Sequence, residues 1–193
     1  MRLEALNNGY KFGTKLLFRI IKIFSGYPLP DAAKLIFYRP DYYGDSAKLF
    51  TQRAMRGPSS WSIADRELMA AYISKLNACT FCINAHSAVA AAAYGEQTKV
   101  DQALTHLETA PISAELLATL SLLSKLTRED AVNADDIRQV IASGVSAEQI
   151  EDALAVCFTF NVTNRLADAF GFHVPSNDAI KASAKYLLKR GYA

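Results

Sequence analysis

Residues 67–86 read ELMAAYISKLNACTFCINAH, and this stretch decides both the fold class and the chemistry. Glu67, Leu68, Ala71, Tyr72 and Lys75 recur at helical spacing. Cys79, Cys82 and His86 stand three and four positions apart, so on a helix they share one face and their side chains come within reach of one another. Glu67 stands twelve residues before Cys79. On one unbroken helix that separation is roughly 18 Å, too far for proton transfer. A carboxylate that serves the thiols therefore requires a break and a fold back, and Lys75-Leu76-Asn77-Ala78 offers the place. Asn77 is a suitable N-cap and would put Cys79 in the first turn of a second helix. There the unpaired backbone N–H groups and the positive end of the helix dipole favour a thiolate. The expectation is a helix carrying Glu67, a turn, and a helix that opens with CxxC.

Helical signals continue on both sides. Ser62 with Asp65 three residues on is an aspartate form of the capping box for the Glu67 helix. The CxxC helix runs through an alanine-rich stretch to Gly95, a fitting C′ residue, and its small side chains allow close approach of a neighbour. Upstream, an amphipathic helix is expected from about Gly13 to Phe24, a short one from Asp31 to Tyr38, and another from Asp41 to Arg56 before Gly57-Pro58. Downstream, helices are expected near Val100–Glu108, after Ser113, from Asn133 to Ser143, from Ser146 to about Phe170, and from Ser176 to Lys189. No alternating run or hairpin signal interrupts them. The expected fold is all-α, roughly eight to ten helices in a single domain over residues 1–193, with residues 1–35 as an N-terminal helical extension.

Composition narrows the function. The chain has 193 residues, 51% hydrophobic and 21% charged, and a net charge of +2, which gives no bulk-charge case for nucleic acid. Its three cysteines cannot form an all-paired disulfide framework. A CxxC without an export signal points to redox or metal chemistry in a reducing, cytoplasmic setting. No segment reaches the ~20 apolar residues of a membrane span, so stable membrane insertion is not expected. Lys11, Lys15, Arg19 and Lys22 form a basic stripe on the first amphipathic helix, with Leu16, Ile20 and Ile23 on another face. The plain reading is packing on the body or on a neighbouring subunit, and the sharper one is a membrane-surface helix.

The glutamate, the twelve-residue interval and CxxCxxxH resemble the AhpD-like alkylhydroperoxidases of the carboxymuconolactone decarboxylase superfamily. Arg39-Pro40, Arg66-Glu67, Ser74 and the run Phe160–Asp168 resemble its peroxidase-related branch, and the likeness covers most of residues 37–175. The resemblance implies an AhpD-like helical subunit assembled into trimers or hexamers. It implies reduction of hydroperoxides by the dithiol, with Cys82 peroxidatic, Cys79 resolving, and Glu67 and His86 as proton relay. It also implies re-reduction by an external dithiol such as a lipoyl-bearing protein. Better-known members carry a histidine just before the second cysteine; Phe81 stands here, leaving the relay one titratable group fewer. No flavin, haem or nucleotide is called for, and there is no glycine-rich phosphate loop.

Other readings compete. Cys79, Cys82 and His86 would supply three zinc ligands where zinc usually takes four, and Glu67 or Cys157 could add the last only by folding back. The chain could exchange disulfides without touching peroxide, or act as a non-enzymatic redox-sensing scaffold. Lactone decarboxylation fits less well, since the members that perform it lack the thiol pair. Cys157 reads as a core thiol, His106 as a surface residue, and His173 as structural. Asn161, Arg165 and Asp168 make a polar stripe suited to an interhelix or intersubunit network, with a local Arg165–Asp168 pair possible by spacing.

Overall fold

A computed structural model describes residues 1–128 and 131–192, and among these there are eleven α-helices and no strand. They are α1 (Ala5–Asn8), α2 (Phe12–Ser25), α3 (Asp31–Tyr38), α4 (Asp45–Arg56), α5 (Ile63–Leu76), α6 (Thr80–Tyr94), α7 (Gln97–Thr105), α8 (Ala114–Arg128), α9 (Ala134–Ala142), α10 (Ala147–Phe170) and α11 (Asn177–Arg190). The count slightly exceeds the expected eight to ten. The single turn α1 carries no periodic signal. The helix expected from Asp41 resolves into a π-helical turn, Pro40–Gly44, followed by α4. None of the described helices is long and apolar enough to cross a membrane.

Helix α5 is the axis of the molecule. Ala64 and every residue from Arg66 to Ser74 are buried, so it is covered on all sides rather than along one stripe. Its Ala70 and Ala71, both fully buried, let the neighbouring helices approach closely. Helices α6, α10 and α8 pack around it. Leu68, Met69, Ile73, Leu120, Leu123, Val156 and Phe160 fill the main core.

The caps are those that the polar residues announce. Ser62 Oγ accepts from the Asp65 N–H at 3.1 Å while Asp65 accepts from the Ser62 N–H at 3.1 Å, which completes the box. Ser146 and Gln149 form a second box at the start of α10, and Asn133 with Asp136 a third at α9.

A smaller core forms where the N-terminus, the start of α6 and the end of α10 meet. Leu6, Leu35, Phe81, Ala167 and Phe172 enclose Cys79 and Cys82 there. The chain end is stitched in place. The Arg2 N–H donates to Phe170 O, and Arg2 Nη1 to Asp168 O, both at 2.6 Å, so residue 2 satisfies carbonyls left open at the C-terminus of α10. Gly171 turns the chain there with φ +61°, and a Cβ at that position would sit 2.8 Å from Arg2 Cγ. Buried Asp31 accepts from the His173 N–H at 2.9 Å and from Lys34 at 2.8 Å, fixing α3 against the segment after α10. His173 thus contributes its backbone, and its side chain is exposed.

Leu123 on α8 is fully buried in the main core. Leu123→Ala is expected to lower stability by about 2–5 kcal/mol, read as a fall in the urea midpoint.

Candidate active site

The fold back required by the spacing is present. Helix α5 stops at Leu76, Asn77 caps its C-terminus, and Ala78 adopts φ +54°. The left-handed region is strained for a residue with a Cβ, and here it reverses the chain within one residue. Cys79 then serves as the N-cap of α6, its carbonyl accepting from the Ile83 N–H at 2.9 Å. The cap therefore lies two positions later than expected: Asn77 closes α5 instead of opening α6. Freed from that role, Asn77 donates from Nδ2 to Asn161 Oδ1 at 3.0 Å and to Asn164 Oδ1 at 3.2 Å.

Both thiols are reduced and almost fully buried. The Cys82 S–H donates to the Cys79 sulfur, which lowers the Cys79 pKa below its ordinary value. Burial opposes this, and the backbone N–H groups of Cys82 and Phe81 add to the lowering. Cys82 moves upward for the complementary reason: it holds the shared proton, is desolvated, and faces the Cys79 charge, with the Asn164 amide as a partial offset. Cys79 is the more acidic thiol, as its place at the helix start predicts.

Glu67 and His86 meet across the α5–α6 pair. His86 Nδ1 lies 2.7 Å from Glu67 Oε2. Glu67 Oε1 accepts from Arg56 Nη2 at 2.7 Å and from the Tyr192 hydroxyl at 2.8 Å. Burial alone would raise the Glu67 pKa. The hydrogen bond and charge of His86, the Arg56 charge and the Tyr192 hydroxyl outweigh it, and Glu67 lies below its ordinary value. An ionised carboxylate only accepts hydrogen bonds, so Nδ1 of His86 carries the hydrogen and Nε2 is the second ring nitrogen. The His86 ring stands edge-on to Phe160 at 4.3 Å and parallel to Tyr192 at 6.3 Å, while the Arg56 guanidinium lies 5.0 Å over the Tyr192 ring.

The thiols and the acid–base cluster thus occupy neighbouring compartments, with Cys82 and His86 one helical turn apart on α6. Helix α10 closes the thiol side through Asn164, fully buried, whose Nδ2 donates to Ser74 Oγ at 3.0 Å. Asn161 bonds the Cys157 sulfur at 3.2 Å, so Cys157 is a core thiol tied into this amide network. Arg165 donates to Asn161 O at 2.9 Å, and among the described residues it makes no ion pair with Asp168. Arg66, although beside Glu67 in sequence, points elsewhere and caps α4 through Gly57 O at 2.9 Å. Phe81 packs edge-to-face on Phe172 at 5.3 Å. His106 is exposed. Among the described residues no three His, Cys, Asp or Glu side chains are grouped to hold a metal.

Sequence reasoning missed Arg56, Tyr192 and Asn164. Arg56 ends a helix and Tyr192 follows one, so neither shows periodicity. Asn164 is a polar residue on the buried face of α10, which is the one legible signal among the three.

Residues 45–125 match the carboxymuconolactone decarboxylase family. Several solved structures share the fold. An uncharacterized peroxidase-related protein from Silicibacter sp. TM1040 superposes with a TM-score of 0.78 at 23% identity, over 91% of this chain and 92% of that one. An uncharacterized peroxidase-related protein with an alkylhydroperoxidase AhpD core from Ralstonia eutropha JMP134 gives 0.75 at 20% identity, over 92% of each chain. The debrominase Bmp8 in complex with 2,3,4-tribromopyrrole gives 0.71 at 14% identity, over 97% of this chain and 94% of that one. No curated protein matches the sequence.

Two outcomes are expected from these geometries. Arg56→Met strands a buried carboxylate and should cost about 3–5 kcal/mol in chemical denaturation. Because the folded pKa of Glu67 lies below its unfolded value, its stabilisation is full above about pH 4.3 and is lost as pH falls from there toward the folded pKa. Glu67→Gln should remove that part of the acid limb. For the thiols, thiolate absorbance of the reduced protein should titrate with a midpoint below the ordinary cysteine value of about 8.5. Cys82→Ala, lacking the donor, should move that midpoint up.

Proposed function

We propose, from the match of residues 45–125 to the carboxymuconolactone decarboxylase family and the fold shared with the AhpD core structure, that the chain is a thiol-dependent peroxidase acting on hydroperoxides. The observation that carries this reading is the pair of buried, unbridged cysteines at the start of α6, one turn from a histidine that lies 2.7 Å from a buried glutamate. A lone nucleophile would need no second thiol three positions away, and a structural pair would need no relay.

The chemistry follows from these parts. Transfer of the shared proton from Cys82 to Cys79 makes Cys82 the thiolate, beside the Asn164 amide and one turn from His86. The Cys82 sulfur attacks the hydroxyl oxygen of the hydroperoxide. An S–O bond forms, the O–O bond breaks, and the alkoxide leaves. His86, with its Nδ1–H held by Glu67, takes a proton from solvent at Nε2 and passes it to the alkoxide. Cys79 then attacks the sulfenic sulfur and expels hydroxide, which takes the Cys79 proton and leaves as water. The net change is two thiols and a hydroperoxide to a disulfide, an alcohol and water. An external dithiol, of which a lipoyl group on a partner protein is one form, returns the disulfide to thiols. This cycle belongs in a reducing compartment, the cytoplasm in our reading.

The same reading makes the chain a homo-oligomer, a trimer or hexamer. Exposed Leu49, Phe50 and Phe158 support it, with Phe50 and Phe158 stacked edge-to-face at 5.2 Å across α4 and α10. A second reading, dithiol–disulfide exchange without peroxide, is favoured by one observation: the first cysteine of the pair is the acidic one, as attack on a partner's disulfide requires.

Stopped-flow reaction of the reduced protein with hydrogen peroxide and an alkyl hydroperoxide separates the two. Rapid loss of both thiols to a Cys79–Cys82 disulfide, with sulfenic acid on Cys82 in Cys79→Ser, is expected. Glu67→Gln and His86→Gln should each slow this step by about 10²–10⁴-fold. Oxidation no faster than that of free cysteine, with ready reduction of a model protein disulfide, would replace the peroxidase reading with exchange.

A further inference from the structure

Helix α2 presents its apolar face to solvent. Phe12, Ile23 and Phe24 are 83%, 72% and 88% exposed, and Leu16, Leu17 and Ile20 are also exposed. At 100° per residue these six side chains fall within one arc of about 140°. The narrow opposite side holds the helix to the body: Phe18 stacks edge-on with Tyr10 at 5.0 Å and with Phe37 at 5.5 Å. No residue of α2 is buried. A surface helix that serves only to pack would turn its apolar stripe inward.

The charges decide what covers the stripe. Lys11, Lys15, Arg19 and Lys22 fall along one flank of it, and no Asp or Glu occurs between residues 5 and 30. Among the described residues none of these four cations has an ion-pair partner. Contact between two copies of α2 would bring eight cations together without a counter-charge. The exposed aromatic patch on α4 and α10 is a separate surface and carries the subunit contact of the preceding reading. Aromatic and aliphatic side chains over a broad arc, flanked by unneutralised Lys and Arg, suit the boundary between acyl chains and anionic headgroups.

We propose that α2 docks the protein onto an anionic lipid surface, lying in the interface plane with Phe12, Leu16, Ile20, Ile23 and Phe24 entering the acyl boundary and the four cations meeting headgroup phosphates. The helix lies flat and does not cross the bilayer. The orientation has a consequence for the thiols. Tyr10, which holds α2 through Phe18, stacks on Tyr38 at 6.1 Å. Tyr38 lines an apolar cavity of about 280 Å³ with Leu6, Leu35, Tyr43 and Phe170, residues that also pack around Cys79 and Cys82. The docking helix and the thiol compartment thus share one wall.

Co-sedimentation of the full-length protein with phosphatidylglycerol vesicles and with phosphatidylcholine vesicles tests the proposal without reference to peroxide, so docking and peroxidase activity fail separately. Retention on phosphatidylglycerol is expected, weakening as salt rises, with little on phosphatidylcholine. Phe12→Ser/Ile23→Ser/Phe24→Ser and Lys15→Glu/Arg19→Glu/Lys22→Glu should each reduce retention at least about tenfold. These side chains are exposed, and unchanged circular dichroism checks that the fold persists. Absence of retention, or retention indifferent to both variants, overturns the proposal. So does light scattering in which the apolar variant dissociates an oligomer while neither protein binds vesicles, since the face would then belong to a second copy.

Discussion

A carboxylate taken entirely out of water is the constraint around which this molecule is arranged. Glu67 is fully buried in the central helix and remains ionised because three groups from three distant parts of the chain reach it. Arg56 comes from the end of α4, His86 from the second turn of α6, and Tyr192 from beyond α11. An unpaired buried charge would cost several kcal/mol, so the termini of α4 and α11 cannot drift independently of α5. Arg56 extends the tie by donating to Leu187 O at 3.2 Å, linking α4 to the last turn of α11. The price of holding the charge is a fixed architecture, and the return is a histidine with one defined tautomer.

The reversal between α5 and α6 converts that architecture into a site. One left-handed residue, Ala78, places a cysteine at the N-cap, where side-chain oxygens are usual. A thiol in that position lies near the open backbone N–H groups of the helix start and beside the second cysteine, and its pKa falls below the ordinary value. The apolar surround of Leu6, Leu35 and Phe172 raises the cost of separating charge there. A polar network on α10 limits the compartment on its other side, with Asn164 set between Ser74, Asn77 and the thiols.

Much of this was legible in the residues. The spacing of Glu67, Cys79, Cys82 and His86 demanded a fold back, and the helix pair delivers it. Ser62–Asp65 opens α5, and Gly95 and Gly171 close α6 and α10, where their chemistry says they should. The reading failed where two roles competed for one residue. Asn77 caps an N-terminus well, but Cys79 took that position, and the Asn77 amide went to α10 instead. Arg165 had Asp168 at pairing distance along the helix and bonded Asn161.

Helix class and most helix boundaries are local properties, set by periodicity and by side chains that act within one turn. The sequence by itself determined those, and with them the need for a turn between Glu67 and the thiols. Which groups neutralise Glu67 was decided by tertiary structure alone. Arg56 and Tyr192 lie 11 and 125 residues from it, and no periodic pattern ties a helix end or a chain end to a buried charge. Their recruitment follows from desolvation: once α5 is covered on every side, a charge within it must find partners in space, wherever the chain happens to return.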